Sequence, residues 1–545
     1  MEAINVHKLI KTKLALFRKT SSKSNTAKKA IRVLNNNYPN RTFKENHATF
    51  IYIFLFYCWY CQCLTYHRLL PTTNRSRNCK ITHVRAAQKE RGIQNGIRIY
   101  CYKHYGEYDL VIVGAGTAGF ILATRLSEIA KISILLLEAG GEENDLNQIL
   151  AMWPYYLFSD FNWGYFSTPQ KRSCLGMNNS ECVIYRGKLI RGGSSIYGAM
   201  YVRGNCKDYD NWAALGNREW SCKDVLPYFK KSENSQVDGD EGYHGIGGFW
   251  NIEYSLPESP LWHTFNNGSL ETNLPFIDYN GRSQIGVSKL QSNIKRGRRQ
   301  SFGTAFLNNA RKRSNLKVVT KALVTKITID RRSKRATGVE FVTGNKKIRV
   351  RARKEVIVSA GAINTPQLLM LSGIGPRNHL RDMKIPLVAY LPVGKNLIEH
   401  PVVSLQVRSN YIAPNTSMEE SVEQYLNGLG PLIKGANIER LSFFHTRNNS
   451  KEGPAIKLVM AAPPAVDSPL FQRTQNFNKT ISQAYEKLLQ PKTDIECNFE
   501  KNSKKYLKCF IRNFGTSGYH GASGNTNAPT AMVAEKGADI IKSEL

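Results

Sequence analysis

The stretch from Tyr108 to Glu138 constrains the fold of this 545-residue chain more than any other. An all-apolar run, Leu110-Val111-Ile112-Val113, leads into Gly114-Ala115-Gly116-Thr117-Ala118-Gly119. Phe120, Leu122, Ala123 and Leu126 then recur at helical spacing, and Ile132 to Leu137 ends in the acid Glu138. This order predicts strand, glycine turn, helix, strand and terminal carboxylate. The glycines match G-x-G-x-x-G: Gly114 permits the tight turn, Gly116 lets backbone approach a pyrophosphate, and Gly119 lets helix and strand pack closely. The helix directs its first N–H groups and positive dipole end at the phosphates, and Glu138 can accept from ribose hydroxyls. The pattern implies a dinucleotide and does not separate NAD from FAD.

The length allows a large core and more than one domain. A formal net charge of +34 is the unusual bulk property. Part of it lies in residues 1–46, and part between Lys295 and Lys354, including Arg298-Arg299, Arg311-Lys312-Arg313, Arg331-Arg332-Ser333-Lys334-Arg335 and Lys346-Lys347. Such charge suits polyanions, but the simpler reading is solvated loops around apolar strands. No zinc-finger spacing or aromatic-interleaved platform accompanies it, so nucleic acid is not the expected partner.

Residues 48–66 contain no Asp, Glu, Lys or Arg and follow a basic tail, residues 1–47. They read as a signal anchor or transmembrane candidate, or as a cleaved leader; the alternative is a buried aromatic helix or strand. Residues 67–106 read as linker. Eleven cysteines do not make a disulfide scaffold, although Cys174 with Cys182 and Cys497 with Cys509 invite oxidation. N-x-S/T sequons stand at Asn178, Asn267, Asn415, Asn448 and Asn478. With the apolar segment they favour a secreted or membrane-anchored glycoprotein on the extracellular side.

Further along, residues 210–229 look helical or loop-rich. Lys317–Val319, Val324–Ile329 and Gly338–Val342 read as successive strands with charged hairpin tips. Glu355–Ser359 reads as a buried strand, followed by a small-residue turn and a helix opening near Pro366 and Gln367.

Three blocks in order resemble the glucose–methanol–choline (GMC) oxidoreductase family, nearest its arthropod FAD/quinone glucose dehydrogenase-like branch. They are Gly114 to Gly141, Arg186 to Gly204 (Arg191-Gly192-Gly193-Ser194-Ser195-Ile196-Tyr197 at its centre), and Gly361 to Gly375, the last followed by Val393-Gly394-Lys395-Asn396-Leu397 and His400-Pro401. The resemblance spans about Tyr108 to the C-terminus. It implies an α/β fold, α+β overall: a Rossmann-like FAD domain with an interleaved substrate domain on an antiparallel sheet. The implied division is 107–235 with 285–400 and 519–545 for FAD, and 236–284 with 401–518 for substrate. It implies FAD held by Gly114, Gly116, Thr117, Ala118, Gly119, Glu138, Ala139, Gly192, Gly193, Ser194 and Tyr197, with Val324 against the adenine. It implies oxidation of an alcohol or sugar CH–OH group, with quinone or oxygen as the electron acceptor. Tyr519-His520 and Gly524-Asn525-Thr526-Asn527-Ala528-Pro529 match the family's last motifs, making His520 the expected general base and Asn525 its partner. No metal site is expected.

Departures from the family pattern accompany the match. His520 and Asn525 are only five residues apart, so an intervening family strand is missing and a sheet edge should be left exposed. The substrate sheet is shortened near Leu488–Lys492. Arg191 stands where the family has glycine, adding a long side chain where backbone should approach the cofactor, and Tyr197 stands where it has Asn. The alternative reading is therefore a catalytically impaired relative, or an incomplete gene product, acting if at all as a binding protein.

Overall fold

Strand β1 (Lys103–Val113) enters the centre of a six-stranded sheet and carries the chain to the glycine turn. In this computed structural model the described residues are 103–255, 258–301, 310–400, 402, 416–435, 437–445, 453–461 and 526–545. All fall within one compact unit, Cys79–Leu545. In chain order the main elements are α1 (Thr117–Leu126), β2 (Ile134–Leu137), α2 (Cys206–Ala214), α3 (Cys222–Ser232), β3 (Gly286–Lys289), β4 (Leu316–Val319) and β5 (Leu323–Ile329). They continue with β6 (Ala336–Thr343), β7 (Lys346–Val358), α4 (Gly361–Leu371), β8 (Ile438–Phe444), β9 (Ile456–Ala461) and α5 (Asn527–Glu544).

The sheet order is β4-β2-β1-β7-β6-β5. β4, β2, β1 and β7 run parallel, β1 pairing with β7 from Ile348 to Val358, whereas β7, β6 and β5 form an antiparallel meander. Leu110, Val111 and Ile112 are fully buried, as are Ile134, Leu135 and Leu136. Strands covered on both faces need such continuous apolar runs. A second, three-stranded antiparallel sheet has the order β9-β8-β3.

Two expectations for the segment after Lys346 change. Glu355–Val358 is not a separate strand but the end of the 13-residue β7. Its first half hides behind charge: Lys347, Arg349 and Arg351 alternate with buried Ile348, Val350 and Ala352, the period-two pattern of a half-covered meander strand. Nor is its end fully buried, since Val356, Ile357 and Val358 are only partly covered. β6 pairs with β7 as far as Arg351, and among the described residues no strand flanks Arg353–Val358 on the side away from β1. Helix α4 begins at Gly361 and carries Pro366 inside it, so the helix starts one and a half turns before the predicted proline start. The basic hairpin tip Arg331, Arg332, Lys334 and Arg335 is solvent-exposed.

The C-terminal helix α5 packs against α1 and α3. Ala528, Ala531, Ala534 and Ala538 recur on its buried side and share a core with Phe120, Leu122 and Leu126. Small residues at helical spacing let the two backbones approach. Arg125 clamps the contact with a two-pronged pair to Glu535, Nε–Oε2 2.8 Å and Nη2–Oε1 2.9 Å. Lys231–Asp539 and Lys542–Glu128 tie down the rest of the helix.

Candidate functional site

The glycine turn has the geometry its spacing predicts. Gly114 sits at φ +94°, and a Cβ there would lie 2.5 Å from Ser359 O. A Cβ on Gly119 would lie 2.0 Å from Gly114 O, so helix and turn pack only through glycine. A Cβ on Gly116 would meet nothing within 4 Å. Gly116 therefore faces open space at the N-terminus of α1, where backbone N–H groups are free to meet an anion.

Glu138 closes the other end of the site. Its carboxylate accepts from Ala115 N and Gly140 N, both at 2.8 Å. Burial raises its pKa, and these N–H groups oppose the rise. Both oxygens retain lone pairs to accept hydroxyls. Ala139 and Ala118 are partly exposed beside it, and Val324 is half-buried on β5.

The Arg186–Gly204 block lies across this turn. Arg191 N donates to Ala115 O at 2.6 Å, and Gly192, at φ +57°, would place a Cβ 3.0 Å from the Gly116 Cα. The expectation for Arg191 is corrected here. Its backbone makes the close approach, in the left-handed region at φ 69°. Its side chain does not fill the open space. The buried guanidinium pairs with Glu143 and Ser301 Oγ, and Ser195 Oγ also donates to Glu143. Gly193 is exposed with nothing within 4 Å of its Cβ position, and Ser194 Oγ is turned inward onto Arg191 O at 2.8 Å. Tyr197 donates from its hydroxyl to Asn293 Oδ1 at 2.7 Å.

α5 reaches the same place. Thr117 Oγ1, in the first turn of α1, donates to Asn527 Oδ1, the first residue of α5, at 2.7 Å. Two helix N-termini thus meet at the turn. The buried Asn527 Nδ2 has no hydrogen-bond partner. Open backbone at Gly116 and Gly193, a buried carboxylate with spare lone pairs and an orphaned donor fit the phosphate and ribose end of a dinucleotide. The structure brings together Gly114, Gly116, Thr117, Gly119, Glu138 and Gly192. His520 and Asn525, the expected base and partner, lie outside the described residues, as does the 48–66 segment. Asn527 and Asn293 were not singled out by sequence reasoning. Asn527 did carry a signal, since it sits two residues before Pro529 at a helix start.

A second ionic cluster lies apart from the turn. His244 bridges Glu233 Oε1 (2.6 Å) and Asp278 Oδ2 (2.7 Å), and Arg203 pairs with the same Glu233. Burial alone would lower the His244 pKa, but the two carboxylates override it and raise it to about 9.

The family profile described as "GMC oxidoreductase" matches residues 108–402. Glucose dehydrogenase [FAD, quinone] of Drosophila pseudoobscura pseudoobscura is 41% identical over 299 residues, 54% of this chain and 48% of that one. An oxygen-dependent choline dehydrogenase of Sinorhizobium medicae is 42% identical over 299 residues, 54% and 52% of the two chains. The crystal structure of a formate oxidase superposes with a TM-score of 0.59 at 25% identity, over 67% of this chain and 70% of that one. The chain spans about half the length of the curated relatives it matches.

Proposed function

The chain belongs to the GMC oxidoreductase family, and on that premise we propose that it binds FAD at the glycine turn and oxidises the CH–OH group of an alcohol or sugar. The observation that carries this reading is the open backbone at Gly116, framed by the Gly114 and Gly119 contacts and by Glu138. Gly114, Gly116, Thr117 and Gly119 hold the pyrophosphate, Glu138 the adenosine ribose, and Gly192, Gly193, Ser194 and Tyr197 the flavin side. Ala118 and Ala139 line the groove, and Val324 meets the adenine. When bound, FAD supplies the two-electron sink. His520 takes the substrate hydroxyl proton, and Asn525 steadies the oxygen. Quinone or oxygen then takes the electrons. The relatives' names support this choice, one naming FAD and quinone and the other oxygen. The proposed domains are 107–235 with 285–400 and 519–545 for FAD, and 236–284 with 401–518 for substrate.

We also place the protein on the secretory route, with residues 48–66 as anchor or leader. Two disulfides, Cys174–Cys182 and Cys206–Cys222, support an oxidising compartment. The sequon residues Asn178 and Asn267 are exposed and open to glycosylation. Among the described residues no helix is long and apolar enough to cross a membrane.

One observation favours the impaired-relative reading: among the described residues no strand pairs with Arg353–Val358 on the side away from β1, and its valines and isoleucine are only partly covered. Purification followed by a flavin absorption spectrum, then an alcohol and sugar panel with an artificial acceptor, separates the two. Turnover that His520→Ala abolishes is the expected result. FAD binding without turnover of any alcohol or sugar supports the impaired relative, and absence of FAD binding refutes the enzyme.

A further inference from the structure

Arg191 carries two costs that a glycine would avoid. Its backbone sits in the left-handed region at φ 69° and ψ −3°, where a side chain is disfavoured and glycine is at home. Its guanidinium is also taken out of water, the side chain being 8% exposed. Burial pushes the Arg191 pKa down, and the charge of Glu143 opposes the fall. Glycine is the residue of the family pattern here, so the turn itself does not call for the arginine side chain.

The side chain converges with others on one carboxylate. Arg191 Nη1 donates to Glu143 Oε2 and, at 3.1 Å, to Ser301 Oγ. Ser301 Oγ donates in turn to Glu143 Oε2 at 3.1 Å, and Ser195 Oγ donates to Glu143 Oε1. The Glu143 side chain is itself only 13% exposed. Glu143 and Arg191 belong to two loops that both frame the glycine turn. The first follows β2 and starts at Glu138, whose carboxylate accepts from Ala115 N. The second lies over Gly116 through the Arg191 N–Ala115 O bond and the close approach of Gly192. Backbone joins the two loops at Gly141 and Leu189, where Ile190 N donates to Gly141 O at 2.9 Å. Two residues further along each chain, the side chains of Glu143 and Arg191 continue the tie.

We propose that Arg191, acting through Glu143, is a positioning residue for FAD: the buried pair straps the ribose-side loop to the flavin-side loop and holds Gly192 and Gly193 in place beside Gly116 before the cofactor arrives. This rests on the FAD reading above. The strap touches no part of the ligand. It sets the fraction of the protein whose two loops are already arranged to bind, and apparent affinity falls in proportion to that fraction. An arginine that merely filled space would make the opposite prediction, since glycine at this position relieves the left-handed backbone and would bind FAD equally well or better.

The test uses the full chain. Flavin fluorescence quenching on titration with FAD gives the affinity, and urea unfolding without FAD gives the stability. Arg191→Gly and Arg191→Asn both suit a left-handed backbone and carry no strap. Each is expected to weaken FAD binding at least about tenfold, as when the prearranged fraction falls from near one to a tenth. Arg191→Lys keeps the charge opposite Glu143 and is expected to stay within about threefold of wild type. Removing one partner of a buried pair also leaves the other uncompensated, so Arg191→Asn with Glu143→Gln separates the two effects. Its stability is expected to return towards wild type while its FAD affinity stays at least about tenfold weaker, a split that a merely structural arginine would not give. Should the single Gly and Asn variants fail to fold, the double variant and Arg191→Lys decide. Wild-type affinity in a folded Gly or Asn variant overturns the proposal, as does affinity that recovers in step with stability in the double variant. Wild-type protein that does not bind FAD at all refutes the FAD reading instead, and the strap falls with it.

Discussion

Glu535→Ala strips the C-terminal helix of its central anchor. The Glu535 side chain is fully buried, and Arg125 opposite is 11% exposed. Both carboxylate oxygens bond to the guanidinium, and Lys231 lies 3.8 Å away. Removing the acid leaves a desolvated arginine with both strong bonds lost, which costs about 3–5 kcal/mol. Lys542–Glu128 on the same helix is the internal control. Its side chains are 27% and 37% exposed, so Lys542→Ala should cost no more than about 0.5 kcal/mol. Urea unfolding followed by circular dichroism and tryptophan fluorescence measures both. The double replacement Arg125→Met with Glu535→Leu, which removes both charges and refills the volume, should recover most of the lost stability. Because α5 also carries Asn527 to Thr117, FAD affinity should fall in Glu535→Ala and hold in Lys542→Ala. Equal, small losses in the two variants would show that α5 is not held by this pair and would refute the reasoning.

Gly119→Ala places a Cβ 2.0 Å from Gly114 O; it should unfold or fail to express as soluble protein, checked by circular dichroism. His244 has its folded pKa raised to about 9 from an ordinary 6.5. Its ion pairs therefore contribute fully below about pH 6.5, and that contribution is lost as pH rises through about 9. Chemical denaturation from pH 6 to 10 should show this decline and its absence in His244→Gln. Cys206–Cys222 joins the N-terminal ends of α2 and α3 across 16 residues, so Cys206→Ser with Cys222→Ser should cost about 3 kcal/mol, read by denaturation, with the native bond shown by non-reducing mass spectrometry.

The glycine turn was legible because all its constraints are local: Gly114, Gly116 and Gly119 act within six residues, and Leu110–Val113 declares a strand buried on both faces. The meander was legible at Val324–Ile329 and Gly338–Val342, where apolar residues alternate between charged tips. The first half of β7 was not, because five cations between Lys346 and Arg353 resemble a solvated loop until Ile348, Val350 and Ala352 are seen on one face. The start of α4 was misplaced because Pro366 reads as a first-turn residue. The Arg191 side chain could not be foreseen, since its partners Glu143 and Ser301 lie 48 and 110 residues away. Cys206–Cys222 was missed for a similar reason, as nothing in the sequence brings two helix starts together.

The account stands most directly on whether the open backbone at Gly116 holds FAD. Fluorescence titration of FAD into wild type and Gly116→Val measures it, because a side chain there meets no protein atom within 4 Å of its Cβ position and so enters only the space assigned to the cofactor. The account predicts saturable FAD binding to wild type, and at least tenfold weaker binding to a variant with unaltered circular dichroism and unfolding midpoint. Equal FAD affinity in the two proteins, or no binding to either, would contradict it.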